Sequence, residues 1–314
     1  MKIGVVVPLE ATPATGHVVR YADTRAFALQ AAATGFDSLW LYDHLLYRAP
    51  NQPTQGIWEA WTVLSALAEA TTQVELGTLV LCTPFRNPAI LAKMAVTLDE
   101  ISGGRVILGL GAGWHQPEFE AFGIPFDHKV DRFEETLQII VPLLREGRVS
   151  FEGTHYRAVA CEIVPRGPRP HGPPVLIAAF GPRMLRLTAR YADYWNTAWL
   201  GSAGPLVERR VALEAACAAE GRNPATLAVT VGVNVDYSVP ARSAQTRASS
   251  RQALSGSPEE IASGLRGYAE AGVAHVICAL APSNATSLAR LAEALAVYRQ
   301  MGRGGSSGHS WSPG

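Results

Sequence analysis

GGRVILGLGAGWHQPEF, residues 103–119, sets glycines at 109, 111 and 113 among the apolar residues Val106, Ile107, Leu108 and Leu110. A dinucleotide-binding turn needs G-x-G-x-x-G, a helix that begins at once, and an acidic residue near the end of the next strand. Position 114 is Trp, followed by His115, Gln116 and Pro117, so that fingerprint fails. The other reading is a strand that ends at the mouth of a β/α barrel. There glycines let backbone lie close to a flat ligand, and the next side chains point into the mouth. Ala112, Gly113 and Trp114 then form part of a site wall.

Outward from this stretch, short apolar runs alternate with amphipathic segments, the pattern of βα units around a parallel sheet. Strands are expected over 3–7, 38–42, 75–81, 106–111, 175–178, 193–197, 227–233 and 274–280. The segment ADTRAFALQAAATG reads as a helix ending on Gly35; SPEEIASGLRGYAEAG reads as one opening at Ser257 before Pro258 and ending on Gly272. Eight strands, each followed by a helix and with no strong linker, predict a (β/α)8 TIM barrel rather than an open sheet. The barrel domain is assigned to 1–302, and the Gly- and Ser-rich tail 303–314 is expected to be disordered. Two segments break the alternation. FEGTHYRAVACEIVPRGPRPHGPP should hold a short hairpin, and the polar YSVPARSAQTRASSRQALSG is a candidate mobile loop or lid over the mouth.

Composition bounds the partners. Lys plus Arg and Asp plus Glu are 27 each, so bulk charge gives no support to nucleic-acid or membrane-surface binding. No apolar run approaches the roughly 20 residues of a membrane span. MKIGVVVPLE reads as a first buried strand and not as a signal peptide. A cytoplasmic protein with a small-molecule substrate follows, and a homodimer stays open. Cys82, Cys161, Cys217 and Cys278 are far apart, with no C-x-x-C and no histidine at ligand spacing, so reduced thiols and no metal are expected.

Several stretches in order resemble the bacterial luciferase-like superfamily, and within it the branch that uses the deazaflavin coenzyme F420. They are TLDEISGGRVILGLGAGWHQPEFEAFGIPF, GFDSLWLYDHLL, LGTLVLCTPFRNPAILAKMAVTLD and PVLIAAFGPRMLRLTARYADYWN. The likeness runs from Ile3 to about Tyr298. It implies an oxidoreductase that moves a hydride to or from a mostly apolar organic molecule, with coenzyme F420 as cofactor. An FMN-dependent monooxygenase and a non-catalytic flavin-binding protein are the alternatives.

His44, just past the second strand, is placed where a barrel presents side chains to ligand, and imidazole exchanges protons near neutral pH. By position it could equally be satisfied by a neighbouring carbonyl; the resemblance places the Asp43–His44 pair at the coenzyme ring, with Asp43 orienting His44, contacting the coenzyme or capping a helix. The resemblance also implies a cis peptide between Leu79 and Val80 at a bulge supporting one face of the ring. It sets Cys82 where relatives hold a coenzyme-contacting hydroxyl; a buried small apolar side chain is the equal alternative. Phe180, Gly181, Arg183 and Met184 precede or open a helix, whose unsatisfied amides make an anion site, so the cofactor phosphate is expected there, with the Arg183 guanidinium adding to it. Relatives often have a second glycine where this chain has Phe180. Trp114 falls where sugar-phosphate dehydrogenases of the family have a catalytic Glu, and Gly201 near their lysine, which argues against sugar-phosphate oxidation; the indole is assigned a role in the site. Arg86 and Asn87 are expected at the rim as structural residues, His115 at the surface, and Glu118 as an anchor for the following segment. Trp58, Trp61 and Trp199 are candidates for an aromatic mouth, with one of the first two in the core.

Overall fold

The computed structural model describes residues 1–10, 18–238 and 253–303. Eight strands form the barrel: β1 Lys2–Val6, β2 Ser38–Leu41, β3 Glu75–Thr78, β4 Val106–Gly111, β5 Val175–Ala178, β6 Tyr194–Ala198, β7 Ala228–Asp236 and β8 His275–Ala281. Each pairs in parallel with the next, and β8 pairs with β1, so the sheet closes. Parallel neighbours need crossovers. These are supplied by α1 Tyr21–Ala33, α2 Ala60–Ala70, α3 Pro88–Ser102, α4 Lys129–Arg145, α5 Pro182–Tyr191, α6 Leu206–Ala219 and α7 Pro258–Glu270, with α8 Ala285–Arg303 after the last strand. Local chemistry sets the helix starts. Asn87 caps α3 by accepting from the Ala89 and Ile90 amides, and Ser257 with Glu260 forms a capping box on α7.

The apolar residues divide into two cores. The larger lies between strands and helices; the smaller, inside the barrel, joins Val6, Trp40, Leu79, Ile107, Leu176 and Ile277. Trp40 is the bulk of this inner plug. A Cβ on Gly4 or Gly77 would come within 2.6 or 2.3 Å of its ring, so both positions leave the indole its room. Trp40 Nε1 donates to Ser38 Oγ at 2.7 Å, and Ser38 Oγ meets His275 Nε2, also at 2.7 Å. His275 packs edge-on to Trp40 with centroids 5.4 Å apart. Burial, aided by Lys2 and the N-terminus, pushes the His275 pKa down from 6.5 to about 3.

A pH dependence follows. Between those two values the unfolded chain binds a proton that the folded chain refuses, so stability rises with pH at up to about 1.4 kcal/mol per unit and is lost as pH falls. Urea unfolding at steps from pH 6.5 to 5 should show this slope in the native protein and a flatter one in His275→Asn. Equal slopes in the two proteins would remove His275 as the cause.

The third strand departs from the expected continuous run. It stops at Thr78, the Leu79–Val80 peptide is cis, and pairing resumes with Leu81–Cys82 against Leu110 and Gly111. This break explains two glycines of the opening stretch. A Cβ on Gly109 would lie 1.8 Å from the Thr78 carbonyl oxygen, and one on Gly111 would lie 2.5 Å from a Val80 methyl. They give room to the neighbouring strand, and the expectation that they admit a flat ligand is corrected accordingly. Thr78 Oγ1 ties the junction by donating to the Gly109 carbonyl and accepting from its amide, each at 2.9 Å.

The expected hairpin pairs Arg148–Glu152 with Arg157–Glu162. A second one, Leu46–Tyr47 with Gln55–Gly56, and a second cis peptide, Ala198–Trp199, were not anticipated. Of the candidate lid, 239–252 lies outside the described residues; its end, Ala253–Leu254, is a strand beside Asn234 and Val235 of β7 and not loop. The tail beyond Arg303 is likewise outside the described residues, and Arg303 itself belongs to α8. Among the described residues, no helix is long and apolar enough to cross a membrane.

Candidate active site

Asp43 and His44 follow β2 at the C-terminal end of the barrel, and their side chains have separate partners. Asp43 turns inward and is 4% exposed. Its Oδ2 accepts from the Cys82 amide at 2.8 Å and from Arg86 Nη1 at 2.6 Å, while Oδ1 accepts from Arg86 Nη2 at 3.0 Å. Arg86 also bonds Glu59, which caps α2 through the Trp61 and Thr62 amides. Burial works to lower the Arg86 pKa, but the bonds to the two carboxylates outweigh it, and the guanidinium is held above its ordinary value. Burial works the other way on Asp43, pushing its carboxyl up against the pull of Arg86 and of the Cys82 amide. The pair locks β2, the resumed third strand and α2 behind the mouth. Arg86 is thus structural but interior, not at the rim. Asp43 neither orients His44 nor offers its carboxylate to a ligand, because the Arg86 fork and the Cys82 amide occupy it.

Glu118, buried on the short helix Gln116–Ala121, orients His44. Its Oε1 lies 2.8 Å from His44 Nδ1, and its Oε2 accepts from the Leu45 amide at 2.9 Å. A carboxylate with both oxygens accepting has Nδ1 as donor, which leaves Nε2 as the reactive edge of the ring. Among the described residues nothing bonds Nε2. Around the ring stand Tyr47, Trp114 and His115, with centroids 6.3, 5.6 and 6.2 Å away. Trp114 is 62% exposed, its indole at the rim of the site. His115, expected at the surface, is 6% exposed. It stacks on Tyr47 at 4.6 Å and accepts from the Arg48 amide through Nε2, and burial holds its pKa below the ordinary histidine value. A single polar residue in a rim loop carries no periodicity that marks it as buried.

At the end of β5, Gly181 is the N-cap of α5, with φ −86° and nothing within 4 Å of where a Cβ would stand. Pro182 has no N–H, and among the described residues the amides of Phe180, Gly181, Arg183 and Met184 have no acceptor. Four donors without acceptors therefore gather at a positive helix end, beside the open space at Gly181. The Arg183 guanidinium turns away from them, to Asp131 at 2.6 Å and Glu134 at 2.7 Å on α4. Its expected contribution to an anion site is limited to the backbone. Arg209, which no sequence signal marked, reaches Thr197 and the Ala198 carbonyl and lies 5.3 Å from the Phe180 ring centroid. The Cys82 thiol is buried against Gly113, and burial, then Asp43 and Glu118, push its pKa well above the ordinary value, so it stays neutral.

The family description "Luciferase-like monooxygenase" matches residues 1–252. The chain belongs to the luciferase-like monooxygenase family. The F420-dependent glucose-6-phosphate dehydrogenase of Kineococcus radiotolerans is 29% identical to this chain over 293 residues, covering 80% of this chain and 85% of that one. The phthiodiolone/phenolphthiodiolone dimycocerosates ketoreductase of Mycobacterium kansasii is 33% identical over 223 residues, 65% of this chain and 60% of its own length. An F420-dependent secondary alcohol dehydrogenase, solved with an F420–acetone adduct, superposes with a TM-score of 0.77 at 20% identity over 95% of this chain and 99% of that chain; at this identity the likeness shows the fold.

On this luciferase-like barrel, His44, Trp114, Leu79, Val80, Cys82, Ala112 and Gly113 gather at the ends of β2, β3 and β4, and the amide loop follows at β5. A cavity of about 1070 Å³ occupies the other half of the mouth, at the ends of β1, β7 and β8, and none of the predicted site residues lines it. Its walls mix Leu9, Phe27 and Leu280 with the carboxylates of Glu10, Asp23 and Asp236; among its described lining residues there is no cation. Tyr42 lines it too and meets Trp199 edge-on at 6.2 Å. Trp61 belongs to the core, and Trp58 is half-exposed with its Nε1 on the Val19 carbonyl.

Proposed function

We propose that the protein is a cytoplasmic F420-dependent oxidoreductase acting on a mostly apolar small organic substrate. The observation that carries it is the pairing, on one half of the mouth, of a helix start whose amides lack acceptors with a histidine whose Nε2 is open. When bound, the deazaflavin supplies hydride transfer; the protein supplies place and protons. The amides of Phe180, Gly181, Arg183 and Met184 hold the coenzyme phosphate through charge-assisted bonds. Leu79, Val80, Cys82, Ala112 and Gly113 support the ring. His44 Nε2 gives or takes the substrate proton, its tautomer set by Glu118, and Trp114 covers the reacting side. The cavity beside Tyr42, on the other half of the mouth, receives the end of the substrate remote from His44. Carboxylates there and no described cation make an anionic substrate costly to bind. That disfavours the sugar phosphate named for the Kineococcus relative, and Trp114 in the place of an acidic residue points the same way.

Titration with F420 and with FMN, each followed by anaerobic turnover of ketone and alcohol panels, tests the reading. Tight binding and turnover with F420 alone are expected. Tight FMN binding with turnover only in air would turn the assignment to the monooxygenase alternative.

Gly181→Val probes the phosphate loop. No described atom stands within 4 Å of the new Cβ, so the fold should persist, less the roughly 1 kcal/mol that a disfavoured N-cap residue costs. The branched side chain denies an anion close approach to one amide, worth about 1.5–3 kcal/mol for a charged partner, so coenzyme affinity should fall about 10- to 100-fold. An unchanged dissociation constant would move the phosphate elsewhere.

A further inference from the structure

Far from the cavity, on the outer surface where α4 meets the Arg148–Glu162 hairpin, three metal-type donors converge. We propose that His128, Asp131 and His155 bind one divalent transition-metal ion of the zinc class. Their ligand atoms all lie within 4.8 Å of one another. His128 Nδ1 and Asp131 Oδ2 are 3.2 Å apart, and the two imidazoles have centroids 5.5 Å apart, inclined at 33°. Tetrahedral bonds of about 2.0–2.2 Å put any two donors about 3.3–3.5 Å apart. The first pair has that spacing already, and small rotations of the rings bring in the third donor, with the fourth position left for water.

The donors come from two elements, and each is positioned by its own neighbours. His128 precedes α4 with φ +50°, and Asp131 follows three residues on, over the first turn. His155 sits in the hairpin turn, where Thr154, His155 and Tyr156 donate their amides to Glu135 of α4 at 2.7, 2.9 and 2.8 Å. The turn is thereby fastened to the helix that carries Asp131, and His155 is delivered by backbone bonds. Arg183 Nη1 holds the other carboxylate oxygen of Asp131 at 2.6 Å, which orients Oδ2 toward the histidines, and Glu134 shares the guanidinium's charge. A His–Asp contact alone would be an ordinary surface pair. The second histidine, brought from the hairpin to ligand distance, makes the cluster a chelate. An ion there ties the hairpin turn, α4 and, through Arg183, the start of α5 together.

The test uses the full chain, stripped with EDTA and titrated with zinc chloride by calorimetry, with thermal melting alongside. One equivalent per chain with micromolar affinity and a raised melting temperature are expected. His128→Ala, at an exposed position, and His155→Ala, at a half-buried one, should each weaken binding by more than the roughly 10- to 100-fold that loss of an outer partner costs. His171→Ala, at an exposed position away from the cluster, should leave it unchanged. If the native protein takes up no equivalent, or if the two variants bind zinc as the native protein does, the site does not exist.

Discussion

His44→Asn should turn over about 100- to 10,000-fold more slowly than the native enzyme while binding coenzyme almost as well. Asparagine keeps similar bulk and a hydrogen-bonding edge but cannot exchange a proton near neutrality. The partner geometry sharpens the expectation, because Glu118 fixes the ring through Nδ1 at 2.8 Å and aims Nε2 at the mouth. The pH profiles of kcat should differ between the native protein and the variant. Glu118→Gln offers one acceptor where the carboxylate offers two, so either the His44 or the Leu45 bond is lost with the charge, and it should lower kcat less than His44→Asn does, with KM little changed. Native turnover and an unaltered pH profile in His44→Asn would reduce the histidine to a positional contact and transfer the proton step to another group.

Arg86→Ala should cost about 3–5 kcal/mol of folding stability, because it strands a buried Asp43 carboxylate without its cation. Urea unfolding measures it directly. The double variant Asp43→Leu with Arg86→Met removes the charge together with its partner, and it should recover part of the loss. A single variant as stable as the native protein would mean that water or a rearranged side chain reaches Asp43, and that the lock behind the mouth is dispensable.

The strands were legible because a buried parallel strand is a short apolar run, and the helix at Ser257 because its cap acts within four positions; Asn87, expected only as a structural residue at the rim, proves to cap α3. The break at Leu79–Val80 was accessible through family likeness. What could not be read was partnership across the fold. Asp43 and His44 look like a working pair in sequence, yet one meets Arg86, 43 positions on, and the other meets Glu118, 74 positions on. His115 lies between a Trp and a Gln in a rim segment, so nothing local announces its stack on Tyr47. The glycines at 109 and 111 signalled a close approach, but the sequence carried no sign that a neighbouring strand, rather than a ligand, was approaching. The cluster of His128 with His155 escaped notice for the same reason, since its spacing of 27 residues matches no local ligand pattern.

The inner plug of Trp40, Ile107, Leu176 and Ile277 fills the barrel below the mouth, so a ligand seated over Leu79 has packed side chains beneath it and not a channel. The coenzyme and the substrate are assigned to the two halves of that mouth, side by side and not one above the other. Neither bars the way of the other, so steady-state kinetics should show no compulsory order of binding.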